Sequence, residues 1–539
     1  MFGSTIRTFE TFEYSIVGNR VSRTDRKGKE WTFSYDVLNR MTQKTHEDGR
    51  KVSYAYDDLG RLTSADNGVR ATYTYNPLGR ITTAALDDKS VQYTYDAAGN
   101  RASITLGNTN IQYTYDALNR LKQIKDSAGN VIFADYTYAY GNDGNPTVTA
   151  ALANQTIQRV IKYNAVDWVR EITTTVAGES RTGFAYTYDA VGNQTRKTVR
   201  GNAQSFTYNT IIRLTQADFP GGFPFAEPSF AYDPAGNRTS ADTGTALQYD
   251  INAMNQYTQV GNAAYAWDAN GNLTNDGTDA YTYDVENRLT RFQSIQFTYD
   301  AAGRLITRSN AVGVVSQYVY DFNGIIAEYN AAGDLTRRYI RRPDTGELVA
   351  AINGPTYYYV TDALGSPAEI LDPTGALVER NAYDAYGHVS MTGSSGDPLE
   401  ASTFGNPFFF AGMLQDPIGL YAAGNRFYSP DIGRFIQAGP YDSYGNAYTY
   451  ANNNPTSNTP DAGFMLPSAQ SGLFGGSLDI AKGDHAPSDM PWSDALAPNP
   501  NRPNLCGTAL GTAFPALVPV PTPMKGLVPE PPAPEVRVD

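Results

Sequence analysis

The chain has 539 residues, a formal net charge of -13 at pH 7, 12% aromatic residues and 18% charged residues. This acidic balance excludes a protein that neutralises phosphates, so the sequence predicts no nucleic-acid partner. The lone cysteine, Cys506, excludes an internal disulfide framework, and no apolar run reaches the length of a membrane span.

Residues 1–18 contain no basic segment followed by an apolar one, so no Sec signal is visible. If the protein leaves its cell, either another carrier exports it or the sequence is a fragment of a longer chain. The 39 tyrosines and 49 glycines favour short strands joined by tight turns. The predicted fold class is all-β.

A Tyr-Asp unit recurs about every 20 residues, with one looser stretch in the middle of the chain. Its aromatic positions are Tyr35, Tyr56, Tyr75, Tyr95, Tyr115, Tyr188, Tyr208, Tyr232, Tyr249, Trp267, Tyr283, Tyr299 and Tyr320. In "ATYTYN" (71–76), rings alternate with threonines, which predicts a strand with rings on one face and small residues on the other. We expect these rings mainly to pack, with contact to a guest protein or a glycan as the alternative.

Most of these aromatic residues are followed by Asp-x-x-Gly or Asp-x-x-Asn, the pattern of a type I turn whose last residue has a positive φ. Asn stands in the glycine position because it tolerates a left-handed backbone better than other side chains. The repeated aspartates are therefore predicted to cap turns and not to catalyse. The predicted turn residues are Asp57, Gly60, Asp96, Gly99, Asp116, Asn119, Asp189, Gly192, Asp233, Gly236, Asp300 and Gly303.

A second turn signal, such as "ADNG" (65–68) or "LGNTN" (106–110), closes the other end of each unit. Two turns per unit predict two short strands per unit and a long strip of antiparallel hairpins. One hairpin cannot bury its own tyrosine face, so neighbouring units must stack. The right-handed twist of strands should then coil the strip into a hollow shell.

The units "YDDLGRL" (56–62), "YDAAGNR" (95–101) and "YDPAGNR" (232–238) resemble the YD repeats of the Rhs family, and residues 357–464 resemble its associated core. Proteins of this kind include polymorphic toxins, insecticidal toxin complexes and teneurins. The resemblance implies a repeat strip at 1–340 and a core at 341–464 that plugs the shell. Residues 465–539 are Pro-rich and are predicted to be a largely disordered tail or the remnant of a variable toxin region.

In toxin members of the family, the core resembles an aspartic protease that cuts the chain just after itself. The resemblance places a catalytic Asp at position 439, where this chain has Gly439, and the ending Asp-Pro is replaced by Pro460 and Asp461. We therefore expect no efficient self-cleavage, although Asp461 or Asp442 remains a conceivable substitute, and Phe464 marks the boundary of any cut. Arg434 is the candidate that would position a carboxylate, with a structural role as the favoured interpretation.

The three histidines, His46, His388 and His485, are far apart in sequence and predict no metal site or nucleophile. The segment "DANGNLTNDGTD" (268–279) fails as an EF-hand, because its Gly is at the fourth place and no Glu stands at the twelfth. The sequence predicts no cofactor and no metal.

The favoured function is a non-enzymatic shell that encloses or carries a toxin-type polypeptide for bacterial competition or host interaction. Two alternatives remain open: a surface adhesion or glycan-binding protein, and a self-processing toxin precursor. The expected partners are a polypeptide cargo or a partner shell subunit, with carbohydrate as a further alternative. By family resemblance, the expected location is outside a bacterium or on its surface.

Overall fold

The computed structural model describes residues 10–457, apart from residues 142–143, 153–155, 222, 227, 243, 323 and 440–445 and the side chains of residues 134 and 135. The described part is built almost entirely from strands, and almost every strand pairs antiparallel with the next one in the chain. The strands fall into a long first sheet, a two-stranded link, a second sheet and a small C-terminal sheet.

The first sheet contains β1 (Thr11–Tyr14), β2 (Arg20–Thr24), β3 (Glu30–Tyr35), β4 (Met41–His46), β5 (Lys51–Tyr56), β6 (Leu62–Asp66), β7 (Arg70–Tyr75), β8 (Ile81–Leu86), β9 (Lys89–Tyr95), β10 (Arg101–Leu106), β11 (Thr109–Tyr115), β12 (Leu121–Asp126), β13 (Val131–Tyr140), β14 (Pro146–Leu152), β15 (Ile157–Tyr163), β16 (Val169–Val176), β17 (Glu179–Tyr188), β18 (Gln194–Val199), β19 (Asn202–Tyr208), β20 (Leu214–Asp218), β21 (Ser229–Tyr232), β22 (Arg238–Asp242), β23 (Ala246–Ile251), β24 (Tyr257–Val260) and β25 (Ala263–Ala264). The link contains β26 (Ala266–Trp267) and β27 (Leu273–Asn275).

The second sheet contains β28 (Tyr281–Tyr283), β29 (Leu289–Phe292), β30 (Ile295–Tyr299), β31 (Leu305–Asn310), β32 (Gly313–Asp321), β33 (Gly324–Tyr329), β34 (Leu335–Arg341), β35 (Leu348–Ile352), β36 (Thr356–Thr361), β37 (Pro367–Leu371), β38 (Leu377–Tyr383), β39 (Val389–Gly393) and β40 (Pro398–Leu399). The small sheet contains β41 (Leu414–Gln415), β42 (Tyr421–Ala423), β43 (Arg426–Ser429) and β44 (Arg434–Phe435), and two short 3-10 turns lie at Phe410–Gly412 and Ala451–Asn453.

The strands of the first sheet bury one face and expose the other. In β9, Val91 and Tyr93 are buried while Gln92 and Thr94 are exposed, and the same alternation recurs in β5, β11 and β19. A side chain on every second residue points to the same face, so this pattern follows directly from the Tyr-Thr-Tyr spacing. The ring-bearing face is the inner face of the sheet.

The strip coils so that the second sheet packs against the first, and we call β1–β25 the first winding and β28–β40 the second winding. Side-chain contacts join Asn67 to Tyr299, Arg101 to Asp321 and Thr182 to Glu369, across 232, 220 and 187 residues respectively. The sequence separation of these contacts thus falls from 232 to 187 residues along the chain.

The second winding is buried on both faces. One face, with Ile326, Ile340 and Val349, packs against the rings of the first winding in one apolar cluster. The opposite face, with Ile325 and Tyr339, packs against the C-terminal block of residues 404–457, which we call the plug. The molecule thus has three layers where the windings overlap.

The predicted all-β strip of antiparallel hairpins, coiled into a shell and closed by the core, is confirmed by this architecture. The proposed boundary between residues 340 and 341 falls inside β34, and the second sheet runs through it to β40. The division into three segments therefore stays a prediction. Within the described ranges, no helix is long and apolar enough to cross a membrane.

Candidate functional site at the seam of plug and windings

Each Tyr-Asp unit closes with a turn in which the aspartate accepts the backbone hydrogen bonds. Asp57 Oδ1 accepts from the N–H groups of Leu59 (3.0 Å) and Arg61 (2.9 Å), and Asp57 Oδ2 accepts from Arg61 Nε (2.6 Å). The backbone N–H of Gly60 donates to the carbonyl of Asp57, and Gly60 has a φ of 82°. In this geometry the carboxylate stabilises a chain reversal through three hydrogen bonds.

The other predicted turn residues occupy the same positions in their own reversals. Asp96, Asp116, Asp189, Asp233 and Asp300 each accept a backbone N–H bond from the residue four places later. The left-handed positions are Gly99 (φ 95°), Asn119 (φ 59°), Gly192 (φ 95°), Gly236 (φ 85°) and Gly303 (φ 80°).

The second tyrosine of each unit ties its strand to the preceding unit. The hydroxyl of Tyr75 donates to the carbonyl of Leu62 (2.6 Å), and that of Tyr95 donates to the carbonyl of Ile81 (2.8 Å). The same bond recurs at Tyr115, Tyr188, Tyr208, Tyr232, Tyr283, Tyr299 and Tyr320. The rings of this ladder lie on the same face as the buried tyrosines, and those of Tyr75, Tyr95 and Tyr115 are half-buried.

The residue after the left-handed position links one turn to the next. Arg61 donates from Nη1 to the carbonyl of Asn76 (3.2 Å), and its guanidinium lies over the ring of Tyr75 at 4.6 Å. Where Asn replaces Arg, its amide makes the link, as Asn100 does to Asn119 (2.9 Å). The sequence marks this position as part of the motif but does not reveal its role as a connector.

The plug binds the windings by recognising three of these turns with its asparagine side chains and one tyrosine. Asn446 and Asn453 donate to Asn237 Oδ1 (2.8 Å) and to the carbonyl of Gly236 (2.9 Å), respectively. Asn454 donates to Asn193 Oδ1 (2.8 Å), and the hydroxyl of Tyr448 donates to the carbonyl of Gly271 (3.0 Å). The segment "NAYTYANNNPTS" (446–457) is therefore the part of the core that binds the turns of the repeat units.

Arg434 lies at the centre of this seam and is 3% exposed. Its Nη2 donates to Asn446 Oδ1 (3.1 Å) and Asn237 Oδ1 (3.3 Å), and its guanidinium stacks over Tyr257 (4.2 Å) and Tyr448 (5.0 Å). These partners are neutral amides and aromatic faces, which stabilise a buried cation by hydrogen bonds and cation–π contacts. Arg434 joins the plug to the windings in this structure, and no described carboxylate faces it.

Gly439 lies against a second buried arginine. A Cβ atom at this position would overlap the guanidinium of Arg426, which stacks over the ring of Phe435 at 3.5 Å. Burial lowers the pKa of Arg426 to about 10. The space that a catalytic Asp side chain would fill is thus occupied by a cation, and any side chain at position 439 needs Arg426 to move.

Several residues singled out from the sequence lie outside the described residues. These are Asp442, Pro460, Asp461, Phe464, His485 and Cys506.

The two described histidines lie in different surroundings. His46 is 4% exposed and packs edge-on against Trp31, with ring centroids 5.0 Å apart. His388 is hydrogen-bonded to Asp384 and Asp431, at 2.7 Å each, so it joins the second winding to the plug. Burial opposes its charge, but the hydrogen bonds to the two carboxylates raise the pKa of His388 to about 10.

Asp268, from the segment weighed as a calcium loop, lies in a Tyr-Asp type turn. Its carboxylate accepts from Asn272 (2.9 Å) and forms an ion pair with Lys27 (2.6 Å), so its oxygens already have partners. In the part of the chain that the structure describes, no three His, Cys, Asp or Glu residues are grouped to hold a metal ion.

Buried ion pairs join the two windings, and these were not visible in the sequence. Arg101 Nη1 lies 2.9 Å from Asp321 Oδ2, and Lys197 Nζ lies 2.7 Å from Asp362 Oδ2, with both acids almost fully buried. A small cleft of about 20 Å³ opens beside the second pair, lined by Tyr186, Phe410 and Thr456 among others. This cleft adjoins the end of the described chain and mixes aromatic and polar side chains.

Two family models match this chain. The model of the teneurin YD-shell matches residues 206–459, and the model of the RHS repeat matches residues 17–51, 56–90 and 95–131. The first match covers the end of the first winding, the second winding and the plug, and the second covers the early hairpins.

Two similar curated proteins are, by name, a nuclease and a deaminase toxin of bacteria. The tRNA3(Ser)-specific nuclease WapA of Bacillus spizizenii is 28% identical over 302 residues, which is 53% of this chain and 11% of that protein. The double-stranded DNA deaminase toxin A of Burkholderia cenocepacia is 27% identical over 274 residues, which is 50% of this chain and 16% of that protein. This chain therefore spans only about a tenth to a sixth of the length of these relatives.

A solved structure shares the fold. The crystal structure of TcdB2-TccC3 without its hypervariable C-terminal region matches with a TM-score of 0.71 and 15% identity, over 84% of this chain and 27% of that chain.

Proposed function

We propose, from the premise that this chain belongs to the Rhs/YD-repeat family, that it is part of a shell that encloses a toxin-type polypeptide and carries it. The carried polypeptide would serve bacterial competition or host interaction, outside the cell or on its surface. The shell itself would act by excluding water and proteases and would not turn over a substrate.

The observation that carries this proposal is the closed wall formed by the two windings and the plug. The tyrosine hydroxyls tie each unit to the one before, so backbone and side-chain bonds both run along the wall. Buried ion pairs such as Arg101–Asp321 join the two windings. The asparagines of the plug bind turns of the first winding. A wall in which nearly every strand is paired on both sides suits a container, because a protease needs an accessible segment.

We further propose that the chain does not cut itself efficiently. Gly439 offers no carboxylate, and the guanidinium of Arg426 fills the neighbouring space. An aspartic mechanism needs two carboxylates that share a proton, and a cation at that place would keep a nearby carboxylate ionised.

A partner shell subunit is the second part of the proposal. The third residue of the Tyr-Asp turn is a large apolar side chain in most units of the first winding, and we call this row the rim. The exposed fractions are Leu38 63%, Leu59 71%, Leu78 72%, Leu118 59% and Val191 69%.

Two of the equivalent residues of the second winding are covered, whereas Ala332 and Thr374 at the same turn position are exposed. Glu286 forms an ion pair with Lys44 of the first winding, and Leu364 packs against the aromatic cluster of the plug. At Glu286 and Leu364 the turn edge of the second winding thus packs against the first winding and the plug, respectively. The rim is the corresponding edge of the first winding, and its apolar side chains are exposed. A companion strip of YD-type hairpins fits it by the same geometry.

Intact-mass measurement followed by limited trypsin digestion of the full chain tests enclosure. The mass is expected to remain that of residues 1–539 for days at neutral pH. Cleavage after Lys482 and Lys525, which follow the plug in sequence, is expected to be at least about tenfold slower in the native chain than in urea, because enclosed segments are cut only after opening.

The alternatives predict different outcomes in the same experiment. A stable fragment that ends near Phe464 without added protease would identify a self-processing precursor. Rapid trypsin cleavage at both lysines, with the windings intact, would contradict enclosure of the polypeptide that follows the plug.

A further inference from the structure

Three arginines converge on one buried carboxylate between the windings. Glu369 in β37 is 1% exposed, and its Oε1 lies 2.9 Å from Arg380 Nε and 3.7 Å from Arg200 Nη1. Its Oε2 lies 3.6 Å from Arg181 Nε and accepts a hydrogen bond from the Thr182 hydroxyl (2.5 Å).

The backbone brings these side chains together in three different ways. Arg380 stands directly opposite Glu369 on the neighbouring strand of the second winding. Arg181 is the extra residue of a bulge in β17, which allows Arg181 and Thr182 to face Glu369 together. Arg200 lies at the tip between β18 and β19, with a φ of 49°.

The cluster around Glu369 carries more positive than negative charge. Three guanidinium groups face one carboxylate, which leaves a local excess of two positive charges in a chain whose net charge is -13. Arginines of the Tyr-Asp turns, such as Arg40, Arg61 and Arg120, each have the aspartate of their own turn as a partner. Burial, together with repulsion by Arg380, lowers the pKa of Arg200.

Two of the three guanidinium groups also keep hydrogen-bond donors free. The distances of 3.6 and 3.7 Å are ion-pair distances that exceed a good hydrogen bond, and Arg181 Nε is buried without a hydrogen-bond partner among the described residues. The side chains of Arg181, Arg200 and Arg380 are 27%, 37% and 28% exposed, so solvent and solutes reach them.

We propose that Arg181, Arg200 and Arg380 form a binding site for an oxyanion, either a carboxylate or a phosphate group of a partner molecule. The planar fork of a guanidinium matches both groups, and paired forks bind them through charge-assisted hydrogen bonds. Glu369 acts as the fixed inner partner that holds the forks in place, and the second anion balances the remaining charge. This site lies apart from the seam with the plug and does not depend on the proposed enclosure function.

Titration calorimetry of the full chain with inorganic phosphate, and separately with acetate, tests the site at constant ionic strength against a chloride reference. Wild type is expected to bind phosphate saturably with a Kd on the order of 1 mM. Arg200→Gln is expected to weaken binding at least about tenfold, because it removes one fork and one charge. The matched control is Arg196→Gln, an exposed arginine of the same hairpin that removes the same charge outside the site.

The two probes separate the sources of the anion. Binding of phosphate alone identifies a phosphate monoester as the ligand class, and comparable binding of acetate identifies a carboxylate. Arg200→Lys keeps the charge without the fork, so an intermediate Kd supports recognition by the fork if Arg200→Gln does not fold. The proposal is overturned if neither anion binds above the chloride reference, or if Arg196→Gln weakens binding as much as Arg200→Gln.

Discussion

The fourth position of the Tyr-Asp turn has a left-handed backbone in every unit described above, and side chains respond to it in different ways. Gly60 has a φ of 82° and Asn119 has a φ of 59°, both in conformations that these residues adopt readily. Ile212 occupies the same position with a φ of 66°, where a β-branched side chain is strained. The turn tolerates Ile212 because the hydrogen bonds of Asn209 fix the reversal.

Replacing Ile212 by Asn should stabilise the protein. The left-handed conformation costs a branched residue about 1–2 kcal/mol, and Ile212 is 41% exposed, so little packing is lost. We expect the free energy of unfolding to rise by about 1 kcal/mol in chemical denaturation.

The reciprocal control is Asn119→Ile, which places the branched residue in an unstrained unit. This variant should lose more stability than Ile212→Asn gains, because it also removes the hydrogen bond that Asn119 accepts from Asn100. Equal stabilities of all three proteins would show that the backbone at this position carries no strain.

Gly439 shows what the sequence can and cannot predict for a single residue. The motif comparison identified the missing carboxylate, because it depends only on residue identity. The guanidinium of Arg426 in that space could not be predicted, since its place follows from the pairing of β42, β43 and β44. Hairpin pairings of two to four residues leave no periodic signal in a sequence.

At the scale of the hairpin, the turn aspartate couples the fold to pH. Burial tends to raise the pKa of Asp57, but hydrogen bonds from the side chain and backbone of Arg61 outweigh it and lower the pKa. Burial is likewise outweighed at Asp36, Asp116 and Asp189, where turn hydrogen bonds lower the pKa. A lowered pKa stabilises the fold above the unfolded value near 4, and this contribution is lost as the pH falls through the folded value.

Asp57→Ala is expected to reduce the free energy of unfolding at pH 7 by about 1–3 kcal/mol, because it removes three hydrogen bonds to a charged acceptor. The difference from wild type should shrink at pH 3, where the wild-type carboxylate loses its charge. Thermal unfolding at both pH values measures this, and Asp58→Ala, at the exposed neighbouring position, should change stability by less than about 0.5 kcal/mol. An equal loss at both pH values would contradict a role for the carboxylate charge.

Elements formed by local contacts were predictable, and contacts between windings were not. The Tyr-Thr-Tyr alternation and the Asp-x-x-Gly spacing predict strands and turns because their partners are a few residues away. The ion pair of Arg101 with Asp321 joins residues 220 positions apart, and no repeat pattern specifies that register. The plug asparagines were missed for the same reason, although "NNNP" (452–455) stood out as polar residues in an otherwise aromatic segment.

At the scale of the whole molecule, the exposed rim residues should contribute little to the stability of the isolated chain, in contrast to the buried residues of the same units. Leu59 and Leu62 belong to the same unit, but Leu59 is 71% exposed and Leu62 is fully buried. Leu59→Ala should change the free energy of unfolding by less than about 0.5 kcal/mol, whereas Leu62→Ala should cost about 2–5 kcal/mol. Urea denaturation of the full chain compares the two. A large loss for Leu59→Ala would show that the rim already packs within this chain, and a companion strip would then be unnecessary.

The hydrogen bonds of the tyrosine ladder join residues that are close in sequence, whereas the contacts between the windings join residues that are far apart in sequence. A ladder bond such as Tyr95 to Ile81 spans 14 residues, whereas the contacts between the windings span 165 to 242 residues. Short loops close with little entropic cost, so each hairpin can pair with the preceding one as the polypeptide emerges. The long-range contacts between the windings should then form last. The reverse route is then also ordered: the contacts between the windings should break while the ribbon of hairpins stays intact. A container of the kind proposed could open in this way without unfolding its wall.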